Sequence, residues 1–228
     1  QKIQVDLKGA DYNDTLLWKT NEGIVVKPFY TKEDRTHHTI ETPKKGFNIC
    51  QTIFIDDEKI ANSLATDALK RGANSIQFVA NSPFNYKIVL KNLEVKRTNL
   101  YFKLHFLNEE FQVEITNFIH SKNCYFQTDI FGHLAEDGNW FTNLKEDHET
   151  LKNILKSSNN CISVSGDLYQ NAGANCAQQL AYTLAHANEY LHYFGKEAAE
   201  KIHFVFSVGS NYFFEIAKLR TFRLLWKT

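Results

Sequence analysis

From about Ile49 onward, short β-rich runs alternate with stretches of helical period, and this alternation constrains the fold more than any other feature of the chain. Ile49–Ile55 (ICQTIFI), Ile76–Ala80 (IQFVA), Leu100–Phe106, Cys124–Ile130, Cys161–Val164 and Ile202–Ser207 read as strands. Asp56 and Asp57 can cap a helix that carries Ile60, Ala61, Leu64, Ala68 and Leu69 on one face and stops at Gly72. Ser82-Pro83 opens a short helix, with proline where its missing N–H costs nothing. Further helices fit around residues 108–120, 144–157 and 174–194, and a last one runs from about Tyr212 to Trp226. Strands separated by helices cannot pair as hairpins, so they pair in parallel through crossovers.

Parallel strands form either a closed barrel or an open doubly wound sheet. The first strand is followed by Phe54-Ile55-Asp56-Asp57, with no glycine-rich phosphate loop, which argues against the dinucleotide-binding sheet. The expectation is therefore α/β, a TIM-type (β/α) barrel. About six βα units are visible where closure needs eight, so the barrel reads as incomplete in this chain. Residues 1–40 precede the alternation as an N-terminal arm, and 41–228 form the barrel domain, truncated before its last strands. A chain of 228 residues that is 43% hydrophobic is long enough for one full core. Lys+Arg and Asp+Glu number 26 each, so no net charge favours nucleic acid or an anionic membrane. No apolar run approaches bilayer length, and Gln1–Gly9 has no signal-peptide core. Methionine is absent, and the N-terminus reads as trimmed. Cys50, Cys124 and Cys161 fall in apolar strand-like runs, where a buried thiol acts as a small hydrophobe; Cys176 makes no C-x-x-C pair with any of them. The compartment reads as reducing and cytoplasmic.

Few residues stand out as chemistry. His186, Glu189 and His192 lie on one predicted helix, but His192 is about 240° round from His186, so the three cannot converge on a metal and read as a solvated face. His37-His38 and Lys44-Lys45 are short polar runs with no partner in sequence. The stripe Ala177, Leu180, Ala181, Leu184, Ala187, Leu191 has the spacing of a core-packing face. Asp167 sits at the carboxyl end of a strand, where barrel active sites form, yet the motif around it holds neither a histidine nor a second carboxylate to make it a general base.

Three segments carry a family resemblance. Trp18-Lys19-Thr20-Asn21-Glu22-Gly23-Ile24-Val25-Val26-Lys27-Pro28-Phe29-Tyr30-Thr31 is similar to the arm motif T-x-E-G-I-x-V-K-P-L-Y-T. Ser165-Gly166-Asp167-Leu168-Tyr169-Gln170-Asn171-Ala172-Gly173-Ala174-Asn175 resembles S-G-Y-H-M-Q-E-A-G-A. Phe213-Phe214-Glu215-Ile216-Ala217-Lys218-Leu219-Arg220, with Arg223-Leu224-Leu225-Trp226, is similar to F-F-x-E-I-A-K-L-R-A-A-R-x-L-W. All three belong to the methylmalonyl-CoA mutases, in family order. The resemblance implies a barrel that holds acyl-CoA along its axis and, in a separate domain, adenosylcobalamin bound through a D-x-H-x-x-G loop. The reaction implied is the radical rearrangement of methylmalonyl-CoA and succinyl-CoA, with the cofactor supplying the chemistry.

The departures point to the small, non-catalytic subunit of the two-chain enzymes. Where catalytic members carry Tyr-His-Met-Gln, this chain has Asp167, Leu168, Tyr169 and Gln170, and leucine in place of the substrate-contacting histidine can neither donate a hydrogen bond nor act as an acid. These four residues read as a vestigial pocket, with no catalytic residue and no metal ligand. The Tyr- and Arg-rich stretch before the first strand is replaced by Pro43-Lys44-Lys45-Gly46-Phe47-Asn48. No D-x-H-x-x-G occurs, so no cofactor is expected in this chain; adenosylcobalamin would enter the holoenzyme through the partner or a further domain. The expected partner is a homologous catalytic mutase subunit in a heterodimer, met by the aromatic residues Trp18, Phe29 and Tyr30 of the arm. The alternative is a fragment of an active acyl-CoA mutase chain, and Leu168 discriminates between the two.

Overall fold

The computed structural model describes residues 2–35, 38–40 and 46–227. The sequence expectations for His37, Pro43, Lys44 and Lys45 lie outside them.

The chain opens with two short helices, α1 (Lys2–Asp6) and α2 (Tyr12–Leu16), and an antiparallel hairpin of β1 (Trp18–Lys19) and β2 (Val25–Val26). The alternation follows: β3 (Cys50–Phe54), α3 (Glu58–Lys70), β4 (Ser75–Ala80), α4 (Tyr86–Val89), β5 (Asn99–Leu104), α5 (Glu109–Ile119), β6 (Cys124–Phe126), α6 (Ile130–Asp137), α7 (Leu144–Ser157), β7 (Ile162–Ser165), α8 (Gly166–Asn171), α9 (Cys176–Phe194), β8 (Ile202–Val205) and α10 (Tyr212–Leu225). Strands β3-β4-β5-β6 form a parallel four-stranded sheet in chain order, and β7-β8 a parallel pair. The α/β expectation is borne out, and the sequential strand order excludes a reversal within the sheet.

Local chemistry explains the boundaries. Asp57 caps α3, accepting from the backbone N–H groups of Lys59 and Ile60, and Gly72 follows the helix with φ +108°, a conformation that suits glycine. The short helix expected at Ser82-Pro83 begins later, at Tyr86, because Asn85 supplies the cap to Lys87 N–H. Cys124–Ile130 divides: the strand ends at Phe126 and Asp129 caps α6, a helix the periodicity did not disclose.

The strands turn their main apolar face to one side. Ile53, Ile76, Phe78, Leu100, Phe102, Cys124 and Phe126 pack with Ala61, Ala65, Ile115 and Ile119 of α3 and α5 into one core. The opposite side carries Thr52, Gln77, Tyr101, Lys103, Tyr125 and Gln127, none of them buried. There Thr52 donates to Gln77 (2.8 Å), and Gln77 donates in turn to Gln127. An open doubly wound sheet would cover both faces with helices and make both apolar.

The sheet also curves. Phe126 N–H donates to Asn160 O, and Ser163 N–H to Thr128 O, both at 2.9 Å, which sets β7 beside the end of β6. His203 of β8 then lies 6.4 Å from the ring of Tyr101 on β5 and 5.8 Å from that of Tyr125 on β6. In a flat sheet β5 and β8 would stand roughly 14 Å apart. Among the described residues β3 and β8 each pair with one neighbouring strand, so closure is not formed here. Cys50 is exposed because it sits on the edge strand and on the uncovered side, contrary to its reading as a buried thiol, whereas Cys124 and Cys161 are buried. No helix is long and apolar enough to cross a membrane among the described residues.

Candidate functional site at the strand ends

The carboxyl ends of β5, β6 and β7 meet around a pocket of ≈140 Å³, lined by Lys103, His105, Gln127, Asp129, Asp167 and Leu168 among others. Each group arrives by a short route. Alternation along β5 turns Lys103 to the polar side of the sheet, Asp129 follows β6 as the cap of α6, and β7 runs directly into α8 at Ser165-Gly166. Glycine is required at that junction: a Cβ on Gly166 would stand 2.5 Å from Thr183 Oγ1 and 2.9 Å from the carbonyl of Val205.

Asp129 is the hub of the site. Its Oδ1 accepts from Gly132 N–H (2.8 Å), His186 Nε2 (2.8 Å) and Tyr190 Oη (2.7 Å), and its Oδ2 from Ser165 N–H (2.9 Å). Burial works to raise its pKa, but the bond from His186, with those from Gly132 and Tyr190, outweighs burial and holds the carboxyl below its ordinary value. The other ring nitrogen of His186, Nδ1, lies 3.0 Å from the Tyr169 hydroxyl. Burial, then the Asp129 charge, pushes the Tyr169 phenol up to about 12. The reading of His186 as part of a solvated face is thereby corrected: it is buried on α9 with Gln179, Thr183, Ala187 and Tyr190. The apolar stripe expected there packs in part: Leu180 and Ala187 are buried and Leu184 and Leu191 half-buried, whereas Ala177 and Ala181 are exposed.

The four residues expected in a vestigial pocket separate. Asp167 and Leu168 line it. Tyr169 turns to His186 and Tyr182, and Gln170 accepts from Lys218 Nζ (3.2 Å). Lys218 is itself buried, ion-paired with Glu215 at 2.5 Å and donating to Ser207 O at 2.7 Å. The third family-like motif thus ties α10 to α8 rather than presenting chemistry. Asp167 keeps one enclosed oxygen, Oδ1, without a hydrogen-bond partner among the described residues. Burial raises its pKa, and Lys103 opposes that shift.

The sequence missed Asp129, His186 and Tyr190 as a unit. The available signals were Asp129 three residues before Gly132, a cap spacing, and His186 and Tyr190 four apart on one helical face. Of the arm residues, Trp18 stacks on Phe214 of α10 (5.7 Å), and both Trp18 and Tyr30 line an apolar pocket with that helix. Phe29 is exposed. No group of three His, Cys, Asp or Glu residues that could hold a metal ion occurs among the described residues.

Residues 118–228 match the family model of methylmalonyl-CoA mutase. The methylmalonyl-CoA mutase small subunit of Porphyromonas gingivalis is 28% identical over 99% of this chain and 42% of its own length. A methylmalonyl-CoA mutase of Cereibacter sphaeroides and a methylmalonyl-CoA mutase large subunit of Streptomyces virginiae are each 47% identical, over 29% of this chain and 10% of theirs. The chain therefore spans less than half the length of these relatives. The resemblance carried by the three motifs is borne out, and a relative matching over 99% of the chain is a small subunit.

Proposed function

We propose that this chain is the barrel region of an accessory mutase subunit that stabilises a homologous catalytic chain in a heterodimer, in the cytoplasm. Residues 1–40 serve as the docking arm and 41–228 as the barrel body, which further strands would close beyond β8. The observation that carries the reading is Leu168. It stands on the wall of the strand-end pocket at the position where catalytic members hold histidine, and it brings no proton donor to an acyl thioester.

The residues present do not fit adenosylcobalamin. A pocket of ≈140 Å³ cannot enclose a corrin ring, and the carboxylate nearest His186 is already committed within the fold. When bound elsewhere in the assembly, the cofactor supplies the radical chemistry of the isomerisation. This chain's part is structural: Asp129 and Lys218 fix the strand ends and α10, and Trp18, Phe29 and Tyr30 offer aromatic surface to a partner.

The test is co-expression with a catalytic mutase chain, comparing the intact protein with one lacking residues 1–40. The intact chain should co-purify and support isomerase activity, and the truncated one should lose both. Failure of the intact, full-length subunit ever to associate would refute the accessory role. Titration of the chain alone with adenosylcobalamin should leave the visible spectrum of the cofactor unchanged.

A further inference from the structure

The arm and α10 border a second pocket, away from the strand ends. Trp18 stacks on Phe214 at 5.7 Å, and Asn175 Nδ2 donates to Asn21 O at 2.8 Å, which sets the β1-β2 hairpin against α9 and α10. Between them lies a groove of ≈670 Å³ with a largely apolar lining, to which Trp18, Tyr30, Phe213 and Phe214 bring aromatic rings. The arm holds its own shape beside this groove. Lys27 Nζ pairs with Asp34 at 2.6 Å, Lys27 N–H donates to Tyr30 Oη at 3.2 Å, and Asp34 accepts from Thr31 N–H at 2.8 Å. Walls that are already ordered reduce the entropy lost when something enters.

Among the described residues two charged side chains line the groove, Glu22 and Lys218, and they differ in what is left of their charge. Lys218 is buried and already spent on Glu215, Ser207 O and Gln170. Glu22 is half-buried in the turn of the hairpin and makes no ion pair among the described residues. An occupant therefore meets four aromatic rings and one uncompensated carboxylate. A neutral apolar occupant would strip water from Glu22 and give nothing back. An anion would meet the charge of Glu22 with no cation free to answer it. A guanidinium suits both features, because its planar face packs on aromatic rings and its N–H groups reach a carboxylate. The groove is several times larger than one such side chain and leaves room for apolar neighbours. We propose that the groove between the arm and α10 receives an arginine of the partner chain flanked by apolar residues, its guanidinium on Glu22 and its stem along the aromatic rings. Trp, Tyr and Arg are the residue types that most often anchor interfaces. The inference rests on the docking role of the arm, and it adds Glu22 and the Phe213 end of α10 to the surface that docks.

The experiment has two arms. In the first, the full chain is titrated by calorimetry and tryptophan fluorescence with Nα-benzoyl-L-arginine amide and with its neutral isostere, Nα-benzoyl-L-citrulline amide. The arginine probe should saturate in the millimolar range, and the citrulline probe should bind at least about threefold more weakly. Glu22→Gln should remove that difference by weakening the arginine probe alone. Equal binding of the two probes to the unmodified protein would overturn the inference even if the variant failed to fold, as would an absence of saturable binding by the arginine probe. In the second arm, the affinity for a catalytic mutase chain is compared between the intact subunit, Glu22→Gln and the form lacking residues 1–40. Glu22→Gln should weaken docking by about threefold or more, and the deletion should abolish it. Docking lost in the deletion but unchanged in Glu22→Gln would keep the docking arm and overturn the arginine anchor. Docking unchanged in both would overturn the docking arm and the anchor together.

Discussion

Asp129 and Asp167 follow adjacent strands, line the same pocket and are both acidic, yet their surroundings treat them in opposite ways. Asp129 accepts four hydrogen bonds, and its carboxyl is held below the ordinary range despite burial. Asp167 has an enclosed oxygen with no partner among the described residues, and burial pushes its carboxyl upward. A carboxylate whose lone pairs are filled by its own fold is part of the architecture. One enclosed without a donor, with Lys103 opposing the effect of its burial, is less firmly fixed by the fold.

The sharpest way to break this comparison is Asp129→Ala. It leaves His186 and Tyr190 buried without their acceptor and removes the tie to Ser165, so a loss of roughly 3–5 kcal/mol is expected in urea unfolding. A loss under about 1 kcal/mol would show that Asp129 is no more structural than Asp167.

His203 offers an intermediate case. Both ring nitrogens are enclosed without partners among the described residues, and burial depresses its pKa to about 4. The unfolded chain takes up this proton near pH 6.5, whereas the folded one refuses it until about 4, so stability should fall as pH drops through that window, by on the order of 1–3 kcal/mol. His203→Phe should flatten the slope between those pH values, and an unchanged slope would assign it to other groups.

Tyr169→Phe removes one bond to His186 at the edge of the network and should cost about 1 kcal/mol in the same unfolding assay. The smallest effect is expected for Asp167→Asn, within about 1 kcal/mol of the parent in either direction. Because the folded-state pKa of Asp167 is raised, its protonation favours the folded state as pH falls, and the asparagine variant should lack that small acid-side gain. A severe destabilisation would mean that Asp167, too, is held by the fold.

Much of this architecture is legible in the chain itself. The βα period, the cap at Asp57, the glycine after α3 and the spans of α7 and α9 follow from local rules: side-chain periodicity and backbone hydrogen bonding act over three or four residues, and those residues are neighbours in sequence. The family motifs are legible for the same reason, as contiguous strings. α6 escaped because its sequence, Ile130–Asp137, continues an apolar strand-like run and only the cap geometry of Asp129 separates the two.

What the sequence determined by itself, then, is the alternation of strands and helices, the parallel pairing that alternation forces, and the exchange of histidine for leucine at position 168. Only the tertiary structure decided that His186 points inward to Asp129, that Tyr169 and Gln170 leave the pocket while Asp167 and Leu168 stay, and that the arm lays Trp18 against Phe214. Those outcomes depend on groups brought together from 17, 48 and 57 residues apart and, for the arm, from farther, where hydrogen-bond satisfaction in a buried space, and not local propensity, sets which way a side chain turns.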